Sequence, residues 1–183
     1  PNRIFCCTRN LDFFGNVDRD VTTQTGSLFY YFQPVGNDLI DVEAALTYSN
    51  QEIDQTYIPF TNGFGGATGF GVVDADLQYE RTKLTVKNTS FVQTGVVEHE
   101  IRTGVEFIKN ERLEASAAPG GTDSRQAVFI IDNIDFGNGL SFTPALRYEN
   151  QTLETDFFDL DAGARVEGEF DDSALMGGAS LRY

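Results

Sequence analysis

An all-β fold, an antiparallel up-and-down β-barrel of transmembrane type with about seven or eight strands, is what this sequence predicts. Three observations carry the prediction. Apolar and polar residues alternate with a period of two in one stretch after another, and helical periodicity is hard to find. Several of those stretches run to roughly 10–18 residues, against the ~5–6 usual in soluble sheets. Short and long connections alternate strictly along the chain, so one end of the sheet is trimmed and the other elaborate.

The first 20 residues are ambiguous, with one further strand conceivable over Arg3–Thr8. Ser27–Gln33 is apolar on both faces. Over Ile40–Ser49, Ile40, Val42, Ala44, Leu46 and Tyr48 share one face, and Asp41, Glu43, Ala45, Thr47 and Ser49 the other. Ala75–Val92 reads as one long strand, with Asn88 and Ser90 as polar exceptions on its apolar face. In Glu100–Asn110, Ile101, Thr103, Val105 and Phe107 oppose Glu100, Arg102, Gly104 and Glu106. Gln126–Phe136 carries Val128, Ile130, Ile134 and Phe136 in phase, with Asp132 out of character. Leu140–Glu149 is the cleanest: Leu140, Phe142, Pro144, Leu146 and Tyr148 against Ser141, Thr143, Ala145, Arg147 and Glu149. Leu175–Tyr183 closes the series.

Gly36-Asn37-Asp38, Gln93-Thr94-Gly95 and Gly137-Asn138-Gly139 are tight hairpin signals. Between them, long polar connections are expected near 52–74, 111–124 and 153–173. Outer-membrane barrels have short periplasmic turns and longer outer loops, with aromatic girdles at both interfaces. Phe32, Tyr48, Phe107, Phe136 and Tyr148 sit near strand ends here.

Composition narrows the function. The 183 residues hold 28 Asp and Glu against 13 Lys and Arg, a formal charge of −15, which leaves no basic surface for nucleic acid. Forty per cent hydrophobic residues are too many for a disordered acidic tail. No apolar run approaches the ~20 residues of a spanning helix, and no leader is expected in this chain. Cys6 and Cys7 are adjacent, without companion Cys or well-placed His to hold a metal. One His allows no credible Ser/His/Asp constellation, so no positive case exists for an enzyme, and no cofactor is expected.

Two hairpins are more specific. Thr82-Lys-Leu-Thr-Val-Lys-Asn-Thr-Ser-Phe-Val-Gln-Thr-Gly95 leads into His99-Glu-Ile-Arg-Thr-Gly-Val-Glu-Phe107. This resembles a barrel hairpin of TonB-dependent outer-membrane receptors, in which "N-T-S-x-F" turns into "H-x-L-x-x-G-x-E-[YF]". Ala127–Glu149, ending Pro144-Ala-Leu-Arg-Tyr-Glu149, is similar to that family's next hairpin, "x-x-Y-x-Q-D … P-G-L-R-Y-[DE]". Ile131 stands where Gln is common and Ala145 where Gly is common. The resemblance covers about Thr82–Glu149, and its flavour is nearest to receptors for haem, haemoglobin, siderophores and related iron sources. It implies a barrel section without the plug domain, from a receptor of about 22 strands in the bacterial outer membrane. The implied partners are outer-membrane lipid and lipopolysaccharide, an iron carrier, and a TonB-type inner-membrane complex acting through the plug. Two other readings stay open: a complete eight-stranded outer-membrane barrel with a structural or adhesion role, and a soluble β-sandwich binding module.

Within this frame, Asp41, Glu43, Arg102, Glu106, Arg147 and Glu149 fall on the polar face and are expected to line the lumen as charge ladders. The run Asn62–Gly71 lacks the helix and Lys of a phosphate loop, so Phe64 and Phe70 are the ligand-binding candidates, as exposed aromatics of an outer loop. His99 lies beside a short turn at the periplasmic end and is expected to order that turn rather than bind haem or metal. Glu154, Asp156, Asp159, Asp161, Glu167, Glu169, Asp171 and Asp172 lack EF-hand spacing and read as a solvated acidic loop.

Overall fold

The computed structural model describes residues 16–58, 60–61, 67–68, 76–115, 120–159 and 163–183. Nine strands follow one another among the described residues: β1 (Asn16–Phe32), β2 (Val42–Ile58), β3 (Phe60–Thr61), β4 (Ala67–Thr68), β5 (Leu77–Thr94), β6 (Val97–Ala115), β7 (Gly121–Asp135), β8 (Ser141–Asp159) and β9 (Ala164–Arg182). Seven of them form one antiparallel sheet in the order β1-β2-β5-β6-β7-β8-β9, and β3 and β4 form a separate two-stranded ladder. β1 and β9 do not pair with each other, so each presents a free edge among the described residues. The possible strand at Arg3–Thr8 lies outside the described residues.

The strands are longer than their alternation predicts. Where they are described, the connections expected near 52–74, 111–124 and 153–173 are largely strand: β2 continues to Ile58, β6 to Ala115 and β8 to Asp159, and β9 already begins at Ala164. The reason is chemical. Beyond Ser49, Asn110 and Glu149 these strands are mostly polar on both faces, with isolated apolar residues such as Ile53, Leu113 and Leu153, so the backbone stays extended without the period-two signal that marks a half-buried strand.

At the trimmed end the turns follow their glycines. Gly95 sits at φ +69 in the two-residue connection between Thr94 and Val97, the position a type II′ hairpin reserves for glycine. Gly137 and Gly139 take φ +74 and +86 between β7 and β8, where the Asp135 and Asn138 side chains accept from the Gly137 and Leu140 amides. The β1–β2 connection is longer and folds against β5. Asn88 donates to the Leu39 carbonyl and accepts from the Asp41 amide, each at 3.0 Å, and Ser90 donates to Leu39 at 2.8 Å. The Thr89 and Phe91 amides bond to Asp41 and Asp38, so the β2–β5 ladder runs on past the start of β2.

Register separates the two faces. Leu46, Phe107, Val128, Leu146, Tyr148 and Leu175 share one face and are exposed to between 40% and 70%, with the half-buried Leu84 among them. Among the described residues only Ile53 and Ala127 are buried apolar residues, and these form no conventional core. A sheet with one dry-seeking face and no core must find its apolar environment outside itself.

The limit of the apolar band is staggered. Its last apolar residues at the elaborate end are Leu175, Tyr148 and Val128, which lie in one row with Val105. On β6 and β5 the limit is Phe107 and Leu84, two residues further along, and on β2 it is Tyr48, in the row of Lys109 and two residues further again. Four residues over four to five strand steps, at ~3.4 Å rise and ~4.8 Å spacing, correspond to strands tilted about 30–35° from the normal of the band. That approaches the ~35–45° tilt that closes sheets into barrels. On β6 the band runs from Val97 to Phe107, about 28 Å at this tilt, close to the ~25 Å apolar height of outer-membrane barrels.

Candidate ligand groove and charged face

The face opposite the apolar band carries the ions. Glu106 on β6 takes Lys83 from β5 at 2.6 Å and Arg147 from β8 at 2.9 Å, and Arg147 also holds Glu149 at 2.6 Å. Arg147 reaches Glu106 across the whole width of β7. It does so because Ala127, the β7 partner of both Glu106 and Glu149, has only a methyl group and is 5% exposed. One row down, Gly104 leaves room for the Phe129 ring, whose Cζ lies 2.5 Å from where a Cβ at Gly104 would sit. Lys87 and Glu43 pair at 2.7 Å, and Arg102 pairs with Glu100 on its own strand.

Five of the six residues expected on the polar face, Glu43, Arg102, Glu106, Arg147 and Glu149, thus enter lateral ion pairs. Asp41 does not: it precedes β2 and contributes its backbone to Asn88 and Thr89. Lys83, Lys87 and Glu100 complete the pairs and were legible in phase with Thr85 and Arg102, had the alternation of β5 been extended through its polar residues. Phe64 and Phe70 lie outside the described residues. His99 falls on the apolar face, with Nδ1 2.9 Å from Asp132 Oδ2, which accounts for the out-of-phase Asp132. Among the acidic candidates, Glu154, Glu167 and Glu169 border a hollow of 730 Å³ together with Glu111, and Asp171 accepts from the Thr152 hydroxyl at 2.6 Å.

Towards the elaborate end the polar face hollows into a groove of 610 Å³, bordered by Gln51, Tyr79, Arg81, Asn110, Arg112 and Asp123 among others. Its size falls in the ~300–1,000 Å³ range of small-molecule sites. Asp123 is held by three residues: Arg125 through Nε and a terminal nitrogen, Gln151 at 2.8 Å and Asn110 at 3.2 Å. The Arg125 hydrogen bonds keep its carboxyl below the ordinary aspartate range, helped by Gln151 and Asn110 and opposed by burial.

A tilted strand array with one lipid-like face and one ion-paired face is the wall of a barrel, and the family comparison agrees. Residues 7–183 match the family model described as TonB dependent receptor-like, beta-barrel. The chain belongs to this family. Two solved receptors share the fold. One is the hemophore receptor HasR of Serratia marcescens, a double mutant solved with its hemophore HasA and heme: TM-score 0.64, 16% identity, 94% of this chain and 28% of that one. The other is the siderophore receptor PiuA of Acinetobacter baumannii: TM-score 0.69, 12% identity, 89% of this chain and 30% of that one. No curated protein matches the sequence. The chain thus spans under a third of either receptor, and in this family setting its seven-stranded sheet is an arc of wall, with β1 and β9 unpaired with each other among the described residues.

Proposed function

We propose that this chain is a section of the wall of a bacterial outer-membrane receptor that takes up an iron carrier, such as a siderophore or haem, with energy from a TonB-type inner-membrane complex acting through a plug domain. The observation that carries the reading is the staggered apolar band backed by a charged face, which fits a tilted wall with lipid outside and a wet lumen inside.

In this reading each part of the wall has a task. The apolar band sits in the hydrocarbon, and Tyr48, Phe107 and Tyr148 mark its outer interface, next to lipopolysaccharide. The trimmed turns at Gly95 and Gly137 lie on the periplasmic side. The lumen charges of Lys83, Glu106, Arg147 and Glu149 satisfy one another along the wall, so a plug moving past meets few unpaired charges. The groove opens at the outer end, where a carrier arriving from outside is captured first.

The test is genetic. A strain of the parent organism lacking the full-length gene, grown under iron limitation, is supplied with haem or with ferric siderophores as sole iron source. Loss of growth and of iron accumulation on at least one source, reproduced by disabling the TonB-type complex, is the expected result. Unchanged accumulation on every source would sink the uptake reading.

A further inference from the structure

We propose that Arg81 and Arg112 form an anion-binding pair in the outer groove, and that it takes a carboxylate of the carried ligand. The proposal deepens the uptake reading and rests on it.

Arg81 lies on β5 and Arg112 on β6, on the same face and diagonal to each other: Arg81 pairs with Asn110, and Tyr79 pairs with Arg112. A register irregularity at Gln78/Tyr79 sits beside them. Such bulges re-aim side chains where a strand serves a site. Both guanidinium groups border the 610 Å³ groove.

The ion-pair pattern around the groove is one-sided. Among the described residues one bordering carboxylate lies on this face, Asp123, and it is held by Arg125 at 2.8 Å. Glu80 and Glu111 turn to the opposite face of the sheet, where Glu80 accepts from the Tyr48 hydroxyl at 3.0 Å and Glu111 pairs with Lys109 at 2.7 Å. Arg81 and Arg112 form no ion pair among the described residues, and Arg112 Nε is buried without a hydrogen-bond partner. Arg19 and Arg182 also form no ion pair among the described residues, but neither borders this groove, whereas Arg81 and Arg112 face it from diagonal positions. A buried N–H without an acceptor is costly, and an arriving anion supplies one.

The donor geometry selects the ligand. A guanidinium presents a planar fork that matches a carboxylate in bidentate fashion, which a lysine does not. Asn110, Gln51, Thr23 and Thr155 offer neutral polar contacts around the pair, and Tyr79 offers a ring face. A ligand carrying carboxylates beside a larger iron-binding body suits this lining. Such carboxylates occur on citrate-type chelates and on the propionates of haem, and the two sources are separated by experiment.

The experiment uses the full-length receptor purified in detergent, with wild type, Arg81→Gln, Arg112→Gln and Arg112→Lys compared. Radioactive ferric citrate is titrated by equilibrium dialysis and haem by absorbance; ferrioxamine B, an iron chelate without carboxylates, serves as contrast. Correct assembly is checked by heat-modifiable gel mobility. Tenfold or greater weakening of ferric citrate or haem binding in each Gln variant, with Arg112→Lys intermediate, supports the pair and names the source. Glu80→Gln should bind as wild type. If one Gln variant fails to assemble, the other decides. Wild-type affinity in the assembled Gln variants, or binding of ferrioxamine B alone, overturns the carboxylate site while leaving uptake standing. A wild-type receptor that binds none of the three probes overturns the pair and the uptake reading together.

Discussion

Arginine substitutions across the wall test which face meets lipid, and at what depth. Ile101 lies on the apolar face of β6, six residues below Phe107 at the outer limit of the band. At the tilt derived above this is about 17 Å into a band of about 28 Å, close to its middle. Leu146 lies only two residues below Tyr148, about 5–6 Å under the outer interface. An arginine on the lipid face costs about 2–4 kcal/mol at the midplane and ~0–1 near the interfaces. Ile101→Arg is therefore expected to cost about 2–4 kcal/mol and Leu146→Arg about 1–2. The opposite face already carries native Arg102, one residue from Ile101, and Thr143→Arg on that face of β8 should cost under ~1 kcal/mol, chiefly the hydrogen bond to Asn133. The assay is denaturant-dependent folding of the full-length receptor into lipid vesicles, read by heat-modifiable mobility. With tenfold per ~1.4 kcal/mol, Ile101→Arg should lower the folding equilibrium constant about 30-fold or more. Equal costs for Ile101→Arg and Thr143→Arg would refute the assigned faces, and a larger cost at Leu146 than at Ile101 would refute the tilt.

Further expectations follow from the same geometry. Glu106→Gln removes the shared partner of Lys83 and Arg147 and should cost about 1–3 kcal/mol in the same assay, with measurable coupling to Arg147→Gln in a double-mutant cycle. Gly104→Ala should destabilise by about 1–3 kcal/mol and be only partly rescued by Phe129→Ala, because the new Cβ also meets the Val86 carbonyl at 2.8 Å; full rescue would show that the ring alone is the obstacle. Asn88→Ala unties the β1–β2 connection from β5, so protease cleavage between Gln33 and Asp41 should accelerate in spheroplast preparations, with the band of barrel strands intact. Asp123 has a lowered folded-state pKa, so its stabilisation is present above the unfolded aspartate pKa near ~3.9 and fades as pH falls through the folded value. Wild type should therefore exceed Asp123→Asn in stability at pH 7, and the gap should close under acid; a constant gap from pH 7 to pH 2 would contradict the role given to Arg125.

How much of this was legible depends on where burial is one-sided. Leu140–Glu149 and Glu100–Asn110 alternate cleanly because each crosses the band with lipid-like apolar surface on one side and charge on the other. Above the band that asymmetry vanishes, and the acidic stretch 153–173 reads as loop although β8 and β9 stay paired through it from Leu153↔Phe170 to Asp159↔Ala164. The three polar exceptions on the apolar face were visible but not interpretable in one dimension. Asn88 and Ser90 serve a connection some fifty residues earlier in the chain, and Asp132 serves His99 on the neighbouring strand. The Arg81–Arg112 pair was hidden for a different reason. Both residues look like ordinary members of alternating charged strands, and only the pairing of their neighbours shows that the two border the groove without a counter-ion among the described residues.

The ion pairs also bear on the width of the barrel. All of them on the polar face run laterally, within a strand or between strands at most two apart. In a closed barrel of eight strands the wall-to-wall space is just filled by side chains, so long inward residues meet those of the opposite wall. Here Lys83, Glu106, Arg147 and Glu149 find their partners without any opposite wall, which suits a lumen wide enough to stay wet. The free edges point the same way. β1 and β9 are 17 and 19 residues long, and in hydrocarbon each unsatisfied backbone group on such an edge costs several kcal/mol. An arc of seven strands is stable in a bilayer only with further strands on both flanks, and a wide receptor barrel provides them.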